Sequence, residues 1–256
     1  MAEFKSLKKP LLSKEVEEAI KKSIEDGVHR PGQKLPSERE LVDQFQVSRV
    51  TIREALQHLQ SSGLLTVKRG MNAGTYVAEP TAYSITENFQ NLIRLGRIDY
   101  SHLIDARLYI EPRAAEIAAR YRTKKDLQRL EELLTRASET VGLSKKEARL
   151  INVSFHCEVA RISGNPIIVF ITESVTQSYS ELMIEKTETK FNRQSIIKLV
   201  TGHMDILDSI KNRNSDEAYE KTRQHLLETY IMYSQIAPDG AETDVRRRIR
   251  KEYGLM

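Results

Sequence analysis

The sequence predicts a mainly α chain in two parts: three short helices with a β-hairpin, then an all-α helical bundle. Three observations predict it. Apolar residues recur at three- and four-residue spacing along most of the chain, with a change of period confined to the stretch around 64–77. Seven Pro, eleven Gly and no Trp in 256 residues leave too few turn signals for an all-β fold. The length suits two domains. No run of about 18 apolar residues exists, which excludes a membrane span. The first ten residues lack the apolar stretch of a signal peptide. A single cysteine, Cys157, excludes a disulfide framework and multi-cysteine metal sites. A cytoplasmic protein is the expectation.

The first helix runs over 12–26, where Leu12, Val16, Ala19, Ile20 and Ile24 share a face. Gly27 and Pro31-Gly32 end it. Ser37 opens the second helix, with Glu40 three residues on as the partner of a capping box. Leu41, Val42 and Phe45 supply its apolar face. Val47-Ser48 is a short turn, and Ser48 caps a third helix to about Gln60, buried through Ile52, Ala55, Leu56 and Leu59. Leu64-Leu65-Thr66-Val67 and Thr75-Tyr76-Val77 read as strands joined by a basic, glycine-bearing tip. Helix, helix, turn, helix, hairpin is the order of a winged helix-turn-helix. Beyond the linker at 79–83, candidate helices cover 84–95, 100–121, 124–140, 144–162, 166–189, 194–213 and 215–236. Breaks fall at Gly96, Thr123, Gly142, Gly164-Asn165-Pro166, near Phe191-Asn192 and at Asn214. A Pro-Asp-Gly turn at 238–240 closes the bundle. The expected domains are therefore 1–78, 84–238 and a basic tail at 239–256.

Charge follows this division. Residues 1–77 hold 13 Lys and Arg against 10 Asp and Glu; the middle holds 22 against 23; residues 240–256 hold 5 against 3. A basic head on a neutral body is a layout of nucleic-acid binders with a sensing domain, and equally of any solvated charged surface. The third helix sharpens the reading. Arg49 is its first residue and Arg53 lies one turn on, where a recognition helix enters the major groove. An arginine there gives paired hydrogen bonds to guanine. Ser37, Ser48 and Thr51 hydroxyls and the helix N-terminal amides suit phosphate oxygens, and Arg39 is placed beside them. Lys68, Arg69, Asn72 and Gly74 form the wing.

The run Pro31-Gly32, Leu35-Pro36-Ser37-Glu38-Arg39-Glu40-Leu41, Val47-Ser48-Arg49-Val50-Thr51-Ile52-Arg53-Glu54-Ala55-Leu56, Gly63-Leu64 and Gly74-Thr75-Tyr76-Val77 resembles the GntR family of bacterial transcription regulators. The resemblance spans about 12–78 and implies that Arg39, Arg49 and Arg53 contact an operator. The wing tip at 70–74 is longer than the family's usual glycine turn.

In the body, Asn152 and His156 lie four apart on one helical face, His203 sits on the apolar side of its helix, and His225 follows on the next. Three imidazoles and an oxygen suit a divalent metal, although a helical histidine is more often a core residue. Cys157 points about 100° away from His156 and reads as core. The stretches Asp105-Ala106-Arg107-Leu108-Tyr109-Ile110-Glu111, Phe155-His156, Ser163-Gly164-Asn165-Pro166, His203 and His225 resemble the FadR-type C-terminal (FCD) domain. That resemblance implies a metal (zinc or nickel) held by Asn152, His156, His203 and His225, with Asn152 standing where an Asp is usual. It also implies that Arg107 holds the carboxylate of a small effector. The competing reading of Arg107 is an i,i+4 surface salt bridge with Glu111. The function expected is a ligand-responsive, homodimeric regulator on a palindromic operator, with no enzyme activity and no membrane partner. Two alternatives stand beside it: a metal-dependent enzyme, against which Glu158 points away from His156, and a constitutive DNA-binding dimer.

Overall fold

The computed structural model describes residues 12–79, 81–139, 145–187, 193–236 and 244–254. The chain divides into two compact units between Thr81 and Ala82.

The first unit holds α1 (Leu12–Glu25), α2 (Glu38–Phe45), α3 (Arg49–Ser61), β1 (Leu65–Lys68) and β2 (Gly74–Val77). Both cap serines act as such. Ser37 Oγ accepts from the Glu40 amide while the Glu40 carboxylate accepts from the Ser37 amide at 2.7 Å, a complete capping box. Ser48 Oγ accepts from the Thr51 amide at 3.1 Å. The turn between α2 and α3 rests on Gln46, which caps α2 in the left-handed region at φ 54°. Val16, Ile20, Ile52, Ala55, Leu56, Leu59, Leu65 and Val77 share one apolar core. The strands pair antiparallel, Leu65 opposite Val77 and Lys68 opposite Gly74. The segment 32–35 joins them: Leu35 N–H donates to Thr75 O at 2.8 Å and Val77 N–H to Gln33 O at 2.9 Å. Pro31 and Pro36 on either side hide this added edge from a reading by strand pattern.

The second unit holds α4 (Tyr83–Arg94), α5 (Tyr100–Tyr121), α6 (Lys124–Glu139), α7 (Lys145–Ile162), α8 (Pro166–Thr187), α9 (Arg193–Lys211), α10 (Ser215–Ile236) and α11 (Asp244–Tyr253). Helix α5 is central and packs against α7, α8, α9, α10 and α11. Helices α9 and α10 are joined by only the short turn 212–214, with Arg213 left-handed at φ 58°, so they run as an antiparallel pair.

Two apolar clusters fill the bundle. One gathers Leu103, Ile104, Leu108, Val175, Tyr179, Leu199, Leu226 and Tyr230. The other gathers Ala115, Ala118, Phe155, Val159, Ile206, Ile210 and Ala218. On α5, α9 and α10 the sequence passes from one cluster to the other, and the residues at the crossing are polar: Arg107 and Glu111, His203, and His225. The bundle thus carries a buried polar layer between two apolar ones.

The segment 239–256, read from its charges as a basic tail, contains α11, which docks on α5. Arg246, Ile249 and Tyr253 fall on one face; Ile249 is fully buried, Arg246 bonds Asp99 at 2.6 Å and Arg248 pairs with Asp105. The expected breaks at Gly142 and near Phe191-Asn192, and the turn at 238–240, lie outside the described residues. Among the described residues, no helix is long and apolar enough to cross a membrane.

Candidate metal centre and nucleic-acid interface

The polar layer is built by five side chains that are 2–6% exposed: Arg107, Glu111, His156, His203 and His225. His156 comes from α7, His203 from α9 and His225 from α10. Their ligand nitrogens lie within 4.8 Å of one another. Nε2 of His156 and Nε2 of His203 are 3.1 Å apart. Imidazole nitrogens sit about 2.0–2.1 Å from a zinc-type ion, so two on one ion are about 3 Å apart. The Phe155 ring stacks on His203, centroids 4.4 Å apart, and fixes its plane.

Burial pushes the His203 and His225 imidazoles well below their ordinary values. It lowers His156 as well, against the pull of Glu111. Neutral imidazole is the form that ligates a metal. Nδ1 of His156 faces Glu111 Oε2 at 2.7 Å, which leaves Nε2 turned to the other histidines. A carboxylate behind a histidine is the usual outer partner of a metal ligand. Asn152 lies one turn before His156, and its buried carbonyl oxygen has no hydrogen-bond partner. An orphaned buried oxygen is costly unless something is there to accept. The three imidazole nitrogens fit a divalent cation, and the unpartnered Asn152 oxygen lies one turn away on α7.

Glu111 of this layer and Gly202 beside it were not marked by sequence reasoning as parts of the site. Glu111 entered only as a surface partner of Arg107. The pair is instead buried: Arg107 Nε donates to Glu111 Oε1 at 2.6 Å, and Thr176 donates to the same oxygen at 3.2 Å. Burial alone would raise the Glu111 carboxyl, but Arg107 and His156 outweigh it and hold it well below the carboxylate range. Gly202 is the other. A Cβ on it would overlap His225 Nδ1, so the glycine is what lets this ring lie against α9. A glycine inside a helical pattern, one residue before a histidine, was the available signal. The Arg107 guanidinium also lies 5.0 Å from the Tyr179 ring centre, and the buried Tyr179 hydroxyl has no hydrogen-bond partner. Cys157 is buried, its thiol pushed up to about 12 by burial. Glu158 is tied to Arg129 at 3.1 Å and Arg161 at 3.0 Å.

In the first unit, Arg39, Arg49, Arg53, Lys68, Arg69, Asn72, Ser37 and Ser48 are exposed, while Thr51 and Gly74 are half-buried. The structure adds Glu38, the first residue of α2. Its Oε2 accepts from Arg49 Nε at 3.2 Å and Arg53 Nε at 2.9 Å, holding both recognition-helix arginines together. In the wing, Tyr76 donates its hydroxyl proton to Asn72 O at 2.9 Å, and Lys68 Nζ lies 4.4 Å from the Tyr76 ring centre. Lys34 crosses the place where Gly74 would carry a side chain. Gly74 is thus needed for close packing, and Lys34 adds a cation to the wing that the motif did not mark.

Residues 12–77 match the bacterial regulatory proteins of the gntR family, and residues 102–228 match the FCD domain. The chain is 32% identical to the Uxu operon regulator of Haemophilus influenzae over 81% of this chain and 76% of that one. The chain belongs to the GntR family. It is a DNA-binding transcription regulator with an FCD domain, not an enzyme. This GntR-family chain is also 28% identical to the Exu regulon transcriptional regulator of Escherichia coli K12, over 91% and 88% of the two chains. Among solved structures, Streptococcus agalactiae GntR aligns with a TM-score of 0.62 at 26% identity, covering 85% of this chain and 98% of that one.

Proposed function

We propose that this regulator is controlled by a small carboxylate metabolite bound beside a divalent cation in the polar layer. His156, His203, His225 and Asn152 would hold the cation, zinc or nickel. The single observation that carries this reading is the convergence of three buried imidazoles within 4.8 Å on the FCD body of a GntR regulator. When bound, the cation supplies positive charge to a carboxylate oxygen. Glu111 fixes the tautomer of His156, and Phe155 fixes the plane of His203. Arg107 is the protein's second carboxylate partner. Its guanidinium grips Glu111 in the structure, and an effector carboxylate of the same shape takes the place of that contact. The Tyr179 ring lies 5.0 Å from the Arg107 guanidinium, and its buried, unpartnered hydroxyl is a second donor for an effector oxygen. Because Glu111 also touches His156, exchange at Arg107 is felt at the cation ligands, which gives the effector a differential hold on two arrangements of the layer.

The DNA side of the proposal is a homodimer on a palindromic operator in the cytoplasm. One winged helix reads a half-site, and a two-fold protein mirrors a two-fold site. Arg49 and Arg53, oriented by Glu38, read base edges; Arg39, Ser37, Ser48, Thr51 and the wing residues Lys68, Arg69, Asn72 and Gly74 hold the backbone.

Site selection from random duplexes, followed by anisotropy titration of the recovered DNA, tests the proposal. The expected site is an inverted repeat. Arg49→Ala is expected to lose about 1–3 kcal/mol of base discrimination. A small carboxylate, added to zinc-loaded protein, is expected to change operator affinity by about 5–150-fold. A recovered site without symmetry overturns the dimer reading. Affinity indifferent to mono-, di- and hydroxycarboxylates, with and without zinc, overturns the effector reading and leaves a constitutive DNA binder.

A further inference from the structure

The wing of the head ends in an apolar apex on a cationic base. The loop 69–73 joins β1 to β2, with Lys68 opposite Gly74 at its root. Ala73 N–H donates to Gly70 O at 3.0 Å, which closes a four-residue turn with Met71 and Asn72 at its centre. Met71 is fully exposed, more so than any other large apolar side chain among the described residues. Gly70, Ala73 and Gly74 carry a methyl group or no side chain, so they add no bulk around it.

Tyr76 fixes this apex to the strands. Its hydroxyl donates to Asn72 O at 2.9 Å. Its ring lies 4.4 Å from Lys68 Nζ and 5.9 Å from Lys34 Nζ, measured to the ring centre. Cations are attracted to such a ring face. Arg69, exposed, follows Lys68 directly. An apex held in this way loses little freedom when it binds. Three cations at its base suit the phosphates that flank a groove. A methionine among them gains nothing from phosphate and gains only by leaving water. In a duplex, the apolar space open to a narrow tip lies between stacked bases. Methionine is unbranched and adaptable, and it is one of the side chains that enter base steps from the minor groove as wedges.

We propose that Met71 is an apolar wedge that enters a base step of the operator from the minor groove and kinks the duplex beneath the wing. Lys34, Lys68 and Arg69 hold the phosphates on either side, and Tyr76 keeps the apex aimed. Pyrimidine–purine steps unstack most readily. Met71 therefore selects such a step through its deformability, without a hydrogen bond to any base. The inference rests on the wing lying against DNA, as in the interface reading above, and adds the residue that deforms the duplex there.

Fluorescence energy transfer between the ends of the duplex recovered by site selection tests it. The proteins are the full-length chain and its Met71→Ala, Met71→Leu and Lys68→Met/Arg69→Met variants, each also titrated against salt. Wild type is expected to bend the duplex by about 20–90°. Met71→Ala is expected to leave it nearly straight while keeping the wild-type salt dependence, since no charge is removed. Met71→Leu is expected to keep the bend. Site selection repeated with Met71→Ala is expected to lose the pyrimidine–purine preference beneath the wing. Straight DNA with wild type, a wild-type bend with Met71→Ala, or a Met71→Leu variant as straight as alanine overturns the proposal. The two readings fail separately. The lysine–arginine variant is expected to lower the salt slope by about 1–2. An unchanged slope takes the wing off the DNA and the wedge with it, whereas a lowered slope with straight wild-type DNA removes the wedge alone.

Discussion

A methyl group on Gly202 would claim the position of His225 Nδ1. Alanine is nevertheless the better helix former by about 1 kcal/mol, so the two effects of Gly202→Ala separate. The helix gain offsets part of the cost of displacing the ring, so the metal-free melting point is expected to fall only modestly, while zinc affinity, measured by competition with a chromophoric chelator, falls by about tenfold or more. Equal zinc affinity would show that the His225 ring has no need of the notch. Glu111 is the opposite case, where stability and site are coupled. Glu111→Gln leaves Arg107 buried beside a neutral amide. The expected loss is about 3–5 kcal/mol in denaturant titration, because removing one partner strands the other charge. Zinc affinity should fall by about 10–100-fold with it, as for other carboxylates behind a ligating histidine. A variant as stable as wild type would mean that Arg107 finds another buried anion.

At the scale of elements, α5 and α11 are clamped at Asp99. Its carboxylate caps α5 through the Ser101 amide at 2.9 Å and bonds Arg246 of α11 at 2.6 Å. Burial would raise this carboxyl, but the Ser101 and His102 hydrogen bonds and the Arg246 charge outweigh it and bring it to about 2, from 3.8. A carboxyl depressed on folding contributes stability that is present above its unfolded value and lost as pH falls through its folded one. The clamp is therefore expected to weaken between about pH 4 and pH 2. Asp99→Asn should lower the unfolding midpoint at pH 7, and the gap to wild type should close below pH 2. A constant gap across that range would assign the effect to packing alone. These elements also show what a sequence displays. Helices of the body are marked by glycine, proline and apolar period, and the head by caps at Ser37 and Ser48, because those signals are local. Helix α11 was hidden behind its arginines: only the fold shows that Arg246 and Ile249 share an inward face. The segment 32–35 was hidden by its prolines. His156, His203 and His225 were legible as residues. Glu111 and Gly202 were not legible as site residues, because their roles depend on contacts with α7 and α10 that no spacing along α5 or α9 reports.

For the molecule as a whole, the proposed function makes the polar layer between two apolar clusters a metal-dependent sensor in the body of a DNA-binding regulator. Burying three imidazoles and an orphaned amide oxygen is expensive for a layer that only fills space. A cation converts that cost into binding free energy, and binding to the folded body stabilises it by mass action. A layer that is only structural would gain nothing from zinc or nickel. Elemental analysis of protein purified without chelator or a histidine tag, wild type beside His203→Ala, decides between the two most directly. The account predicts about one zinc or nickel per chain in wild type and a loss of most of it in the variant. Wild type that holds no metal, even after soaking with zinc or nickel, would contradict it.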